Sequence, residues 1–148
     1  MPSMEVSEIV ERPVAEVWAY IEDPRNETEW QSAARERELL DDGEIGKGTR
    51  YRGVDGFLGR RLTFVWEVTE YDPEDRLVIQ ATEGPMETQF AFELTPVDGG
   101  TKVTYGGEAE NGFGGLFGRL LDPVVTGIFQ RESQNDLAKL KAILEANS

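Results

Sequence analysis

The strongest constraint in this chain is a period-two hydrophobic pattern, broken by turns, that runs from residue 34 to 109. Over residues 62–68 the even positions are Leu62, Phe64, Trp66 and Val68, while Thr63 and Glu67 face the other way. Such alternation puts one face in a core and the other in water, the mark of an antiparallel strand. Asp72-Pro73-Glu74-Asp75, Gly84-Pro85 and Asp98-Gly99-Gly100 supply turn residues between the strands. A two-residue turn at Gly84-Pro85 predicts the pairs Glu83–Met86, Ile79–Phe90 and Leu77–Phe92, with Arg76 opposite Glu93 and Gln80 opposite Gln89. A four-residue turn at 72–75 predicts Trp66–Ala81 and Val68–Ile79. These pairs collect the large apolar side chains on one face. A slip of one residue would send them to the other.

Flanking elements are expected to cover that face. Residues 4–11 alternate and read as a first strand. Pro13 then opens a helix where its missing N–H costs nothing, and Val14, Val17, Trp18 and Ile21 follow at i, i+3, i+4 and i+7. Asp23-Pro24 ends that helix and caps a short second one running to Trp30. At the other end, residues 115–146 read as a long helical stretch interrupted at Pro123. Phe117, Leu120, Leu121, Val124, Val125, Ile128 and Phe129 give it a broad apolar surface, which Leu137, Leu140 and Leu144 continue. Burying about ten such side chains at ~1.5–3 kcal/mol each would dominate the stability. The layout is an α+β single domain over residues 1–148: a strand, two short helices, a curled antiparallel sheet, and a C-terminal helix across its concave face.

Composition narrows the chemistry. The 148 residues hold 15 Lys plus Arg against 29 Asp plus Glu, a net charge of −14, with neither Cys nor His. Without Cys there are no disulfides, thiolate nucleophiles or Cys-ligated metals. Without His the commonest general base and metal ligand are missing, and Ser-His-Asp catalysis with them. No metal or cofactor is expected. The acidic excess repels phosphate backbones and anionic membranes, so nucleic acid is a poor partner. The start, MPSMEVSEIVERP, lacks a signal-peptide pattern, and no run approaches the ~20 apolar residues of a membrane span. A cytoplasmic protein without integral membrane association is expected.

The apolar face of the sheet is the main functional clue. Gly53, Ala81 and Gly107 share parity with Phe64, Trp66, Phe92 and Tyr105 and leave room between the aromatics. Two readings stay open: the rings fill a core, or they line a cavity. Tyr51, Asp55, Arg60, Glu83, Thr88 and Tyr105 are polar groups on the same face. Asp55, Arg60 and Glu83 read as solvent-exposed rim residues, whereas Tyr51, Thr88 and Tyr105 are placed to orient a ligand. The expected ligand-binding set is Tyr51, Phe64, Trp66, Thr88, Phe90, Phe92 and Tyr105 on the sheet, with Phe113, Phe117, Leu120, Leu121, Val124 and Ile128 above it. In an enzyme lacking His and Cys, proton transfer would fall to Tyr51, Glu83 or Tyr105.

Two further features have plain and functional readings. The Gly-rich stretch 112–118 follows a strand and leads into a helix, as a dinucleotide-binding loop does. No second parallel strand follows to complete that unit, so a flexible lead-in or a cavity gate is expected instead. Residues 34–61 hold seven basic groups against six acidic ones, so the acidic excess lies elsewhere. That segment is either a patch for a carboxylate or an ordinary mixed-charge sheet edge.

Taken together, these residues resemble a family. Arg12-Pro13-Val14-Ala15-Glu16-Val17-Trp18-Ala19-Tyr20-Ile21-Glu22-Asp23-Pro24, followed by Trp30, is similar to the opening of START-like proteins of the polyketide cyclase/dehydrase and lipid-transport superfamily (SRPBCC). Gly46-Lys47-Gly48-Thr49 resembles the Gly-x-Gly-Thr lead-in to the next strand, and residues 118–144 resemble the closing helix. The resemblance covers nearly the whole chain. It implies the helix-grip fold, a seven-stranded antiparallel sheet wrapped around the long C-terminal helix and enclosing a hydrophobic cavity. It also implies a small hydrophobic ligand such as a lipid, polyketide or quinone, or cyclisation and dehydration chemistry, with no shared catalytic motif. A binding protein is the first expectation, an aromatase/cyclase or dehydratase the second, and a co-chaperone-like protein–protein module the third. A homodimer is left open.

Overall fold

In a computed structural model, residues 4–57, 59–85, 87–109 and 123–146 are described. Strand β1 (Met4–Val10) leads to α1 (Val14–Ile21), a 3-10 turn (Pro24–Asn26) and α2 (Glu27–Trp30). Six strands follow: β2 (Ala34–Leu39), β3 (Arg50–Phe57), β4 (Arg60–Asp72), β5 (Arg76–Glu83), β6 (Thr88–Val97) and β7 (Gly100–Ala109). Helix α3 (Pro123–Ala146) closes the described chain. The strands form one antiparallel sheet in the order β1-β7-β6-β5-β4-β3-β2. β1 and β2, neighbours in sequence, therefore lie on opposite edges, and the two short helices bridge them. This is the helix-grip fold.

The meander has the expected register. Trp66 pairs with Ala81, Val68 with Ile79, Ile79 with Phe90 and Leu77 with Phe92, while Arg76 faces Glu93 and Gln80 faces Gln89. The Glu83–Met86 pair lies outside the described residues. One detail differs from expectation. Asp72 pairs with Arg76, so the first turn spans three residues, with Glu74 in the left-handed region at φ 68°. A bulge between Val68 and Glu70 takes up the extra residue and restores the register at Trp66. A second bulge, between Val65 and Trp66, pairs Val65 with Glu83 and turns Glu83 to the exposed outer face.

Core packing follows the patterns read from sequence. The α1 stripe buries Val17, Trp18 and Ile21, and Pro13 sits just before the helix as its N-cap. Asp23 caps the next turn by accepting the Arg25 amide. On α3, Ser133, Leu137, Leu140 and Leu144 form the buried face at i, i+4, i+7 and i+11. Ile128, expected on that face, is 45% exposed instead.

Helix α3 is held from two sides. Along β1, Gln134 Nε2 donates to the Ser7 carbonyl at 3.0 Å and Lys141 Nζ to that of Ile9 at 2.9 Å. Arg12 donates to the carbonyls of Leu144 and Glu145, satisfying acceptors left open at a helix C-terminus. At the α2–β2 junction, Asp136 Oδ1 accepts the Ser32 amide at 3.1 Å and Glu132 Oε1 accepts its hydroxyl at 2.8 Å. Among the described residues, no hydrogen bond ties α3 to β3 or β4, and the grip is open on that side.

Candidate functional site

The concave face carries a continuous aromatic floor. Phe64 and Trp66 project from β4, Phe90 and Phe92 from β6 and Tyr105 from β7, all by period-two alternation. Their ring centroids form a chain: Phe64–Trp66 at 5.0 Å, Trp66–Phe90 at 5.6 Å, Phe90–Tyr105 at 5.6 Å and Tyr105–Phe92 at 4.6 Å. Trp30 of α2 meets Phe92 edge-on at 5.9 Å. Phe64, Trp66 and Phe92 are buried, whereas the stacked pair Phe90–Tyr105 is only partly so.

The small residues do not leave the gaps that their parity suggested. A Cβ on Gly107 would lie 2.5 Å from the Phe90 ring, and one on Gly53 would lie 2.9 Å from Arg37 Nη1 and 3.1 Å from Trp66 Nε1. The rings and a guanidinium come down onto bare backbone there. At Gly53 and Gly107 the room expected between the aromatics is taken up by packing among the described residues. An enclosed chamber lined by Glu27, Thr49, Tyr51 and Leu77 among others measures about 10 Å³, roughly one water.

Beside the floor lies a charged cluster that the sequence reading missed. Arg37 of β2 reaches inward, its Nε donating to Glu27 Oε1 at 2.6 Å and its Nη2 to Asp55 Oδ1 at 2.8 Å. The Arg37 and Glu27 side chains are 4% and 6% exposed. Asp55, expected at a solvated rim, is 17% exposed and belongs to this cluster. A signal was present: Arg37 shares parity with Leu39 and faces Gly53, a partner small enough to admit a guanidinium over the sheet. Burial pushes the carboxyls of Glu27 and Asp55 above their ordinary range, and Arg37 pulls both back. Beside Arg37, the indole Nε1 of Trp66 is buried without a hydrogen-bond partner.

The other candidates separate. Tyr51 is 2% exposed and pairs with Trp66 across the sheet. Burial raises the phenols of Tyr51 and Tyr105 well above the ordinary value, and the negative charge of Glu27 adds to it. Both therefore stay protonated donors at neutral pH. Thr88 is buried at the start of β6. Glu83 and Arg60 are exposed, and Glu83 pairs with Val65 on the outer face of the sheet. Phe113, Phe117, Leu120 and Leu121 lie outside the described residues, as do the Gly-rich stretch and the side chain of Val124.

Where the grip is open, α3 and the β3–β4 hairpin bound a cleft of about 850 Å³. Arg35, Arg60 and Arg61 line it from the sheet, and Ile128, Arg131, Glu132, Asp136 and Lys139 from the helix. Asp136, one of the cleft residues, is among the negative groups that push the Tyr105 phenol up, after burial, Glu27 and Asp55.

Known proteins place this arrangement. The family model for polyketide cyclase / dehydrase and lipid transport matches residues 1–145. The chain belongs to that family, within the START-like superfamily. A solved protein of Thermus thermophilus is similar at 22% identity and TM-score 0.81, with 98% of each chain covered. One from Deinococcus radiodurans is 17% identical, at TM-score 0.72, again over 98% of each. A protein of the dynemicin biosynthetic locus is 22% identical at TM-score 0.68, with 98% of this chain covering 48% of that one. No curated protein matches in sequence. Membership gives the chain a ligand-binding or cyclase-like role. Among the described residues, no helix is long and apolar enough to cross a membrane.

Proposed function

We propose that this member of the family binds a small hydrophobic or aromatic molecule, lipid-, polyketide- or quinone-like, over the Phe90–Tyr105 end of the floor and in the cleft. The observation that carries the reading is the stacked Phe90–Tyr105 pair, 7° from coplanar and still partly accessible where the neighbouring rings are buried. Two flat, partly covered rings offer a stacking surface, and the cleft of about 850 Å³ between α3 and the β3–β4 hairpin offers room for the rest of a small molecule.

Native mass spectrometry with tryptophan fluorescence titration against lipids, quinones and polyphenols tests this. At least one class should co-purify or bind and change the emission of Trp30 or Trp66, and Phe90→Ala should weaken it about tenfold. If no class binds, the reading fails.

A second reading has its own support. Tyr51 and Tyr105 are held protonated beside Glu27 and Asp55, a donor and carboxylate set suited to enolising a poly-β-keto chain. The likeness to a protein of the dynemicin biosynthetic locus points the same way. Cyclase or dehydratase turnover of a poly-β-keto substrate, lost in Tyr105→Phe, would favour catalysis. Undiminished turnover in that variant would remove Tyr105 from the mechanism.

A further inference from the structure

We infer that the cleft between α3 and the β3–β4 hairpin is a receptor for an anionic group, such as a carboxylate, carried by the apolar ligand. The inference rests on the binding reading above and adds the ligand's charge and orientation. In a chain of net charge −14, the cleft gathers five cations, Arg35, Arg60, Arg61, Arg131 and Lys139, against two carboxylates, Glu132 and Asp136.

Those carboxylates are held at one edge of the cleft, each accepting a hydrogen bond from Ser32, and the cations still outnumber them five to two. Arg61 is paired with Glu36 at 2.6 Å, and Arg35 donates to the Ser32 carbonyl. Among the described residues, the Arg60 and Arg131 side chains have no hydrogen-bond or ion-pair partner, whereas Arg61 does. They face one space from opposite walls, one on the sheet and one on the helix. Two arginines without an ion-pair partner among the described residues, set across one cleft, form a site for an anion, since a guanidinium presents several donors in a planar fork.

Spacing on α3 supports the same assignment. Ile128, Arg131, Asn135 and Lys139 recur every three or four residues and so share one face, which lines the cleft and is exposed throughout. The helix wall also carries Glu132 and Asp136, so the positive excess comes from the sheet wall, with Arg35, Arg60 and Arg61, to which Arg131 and Lys139 add from the helix beyond the apolar Ile128. At about 850 Å³ the space is in the range that takes a small organic molecule. The charge of the whole chain argues against a polyanion, which would be repelled everywhere else.

The test uses 1-pyrenebutyrate and 1-pyrenebutanol, which share an apolar body and differ in the carboxylate. Wild type should bind the carboxylate about tenfold more tightly, with a preference that shrinks as salt rises. Arg60→Gln/Arg131→Gln should abolish the preference, bringing the ratio of carboxylate to alcohol affinity to about one. A charge-matched control on exposed residues away from the cleft, Lys47→Gln/Lys102→Gln, should retain it. Equal affinities in wild type, or equal loss in the control, would overturn the anion receptor while leaving the binding reading intact. Failure of both probes to bind would remove the two together.

Discussion

Replacing Arg37 with Met should be among the most damaging single changes this chain can take, and its cost should depend on pH in a defined direction. The guanidinium is bonded to Glu27 at 2.6 Å and Asp55 at 2.8 Å. Removing it strands two carboxylates whose side chains are only 6% and 17% exposed. Breaking a buried ion pair from one side costs about 3–5 kcal/mol, against a typical total stability of ~5–15 kcal/mol. With an unfolding entropy of roughly 2.1 cal/mol/K per residue, that lowers Tm by about 10–16 °C.

The pH dependence follows from the raised carboxyls. Burial holds Glu27 and Asp55 above their ordinary values of 4.5 and 3.8, and Arg37 moderates both shifts. A carboxyl raised in the folded state contributes stability that is complete below its unfolded value and is lost as pH rises through the folded one. Without Arg37 both folded values climb further. The variant's deficit should therefore be largest near neutral pH and fade as pH falls through the raised folded values of the stranded groups, where they take up protons. Denaturant unfolding followed by tryptophan fluorescence at pH 7 and pH 5 measures it. A deficit under about 1 kcal/mol, or one that does not shrink at pH 5, would refute the reasoning. Replacing all three residues with apolar ones of similar volume should recover most of the loss.

Other perturbations probe the frame. Gly100→Ala places a Cβ 2.2 Å from the Val10 carbonyl oxygen, so the β1–β7 junction must shift; a loss of at least about 2 kcal/mol in denaturant melts is expected, and a neutral result would contradict the packing there. Leu140→Ala empties a fully buried position where α3 meets the core and should cost about 2–5 kcal/mol by calorimetry. In Gly107→Ala the Phe90 ring must give way, because the new Cβ would lie 2.5 Å from it. Binding of any aromatic ligand found by titration should weaken in that variant more than its Tm falls.

Local pattern made the frame legible. Alternation at Leu62, Phe64, Trp66 and Val68 needs no distant information, because a strand with one wet face can satisfy it in only one register. The helix stripes at Val17, Trp18 and Ile21 and at Leu137, Leu140 and Leu144 are equally local. The bulges were not legible. The tighter turn after Asp72 and the outward turn of Glu83 depend on how two strands settle against each other, so Glu83 could not be assigned from its parity.

What the sequence by itself determined was the meander of β4, β5 and β6 with its register, and its inward aromatic face, because period and turn chemistry act over a few residues. What only the tertiary structure decided was how that face is used. Glu27, Arg37 and Asp55 come from three elements and meet only when α2 folds down on β2 and β3. Gly53 and Gly107 are filled by side chains from neighbouring strands, which parity alone cannot foresee. Likewise, Arg60 and Arg131 lie 71 positions apart in sequence and share a cleft because α3 is tied to β1 and Ser32 and stands clear of β3 and β4. Burial and charge belong to the assembled surface, and a linear pattern carries only the part of them that is local.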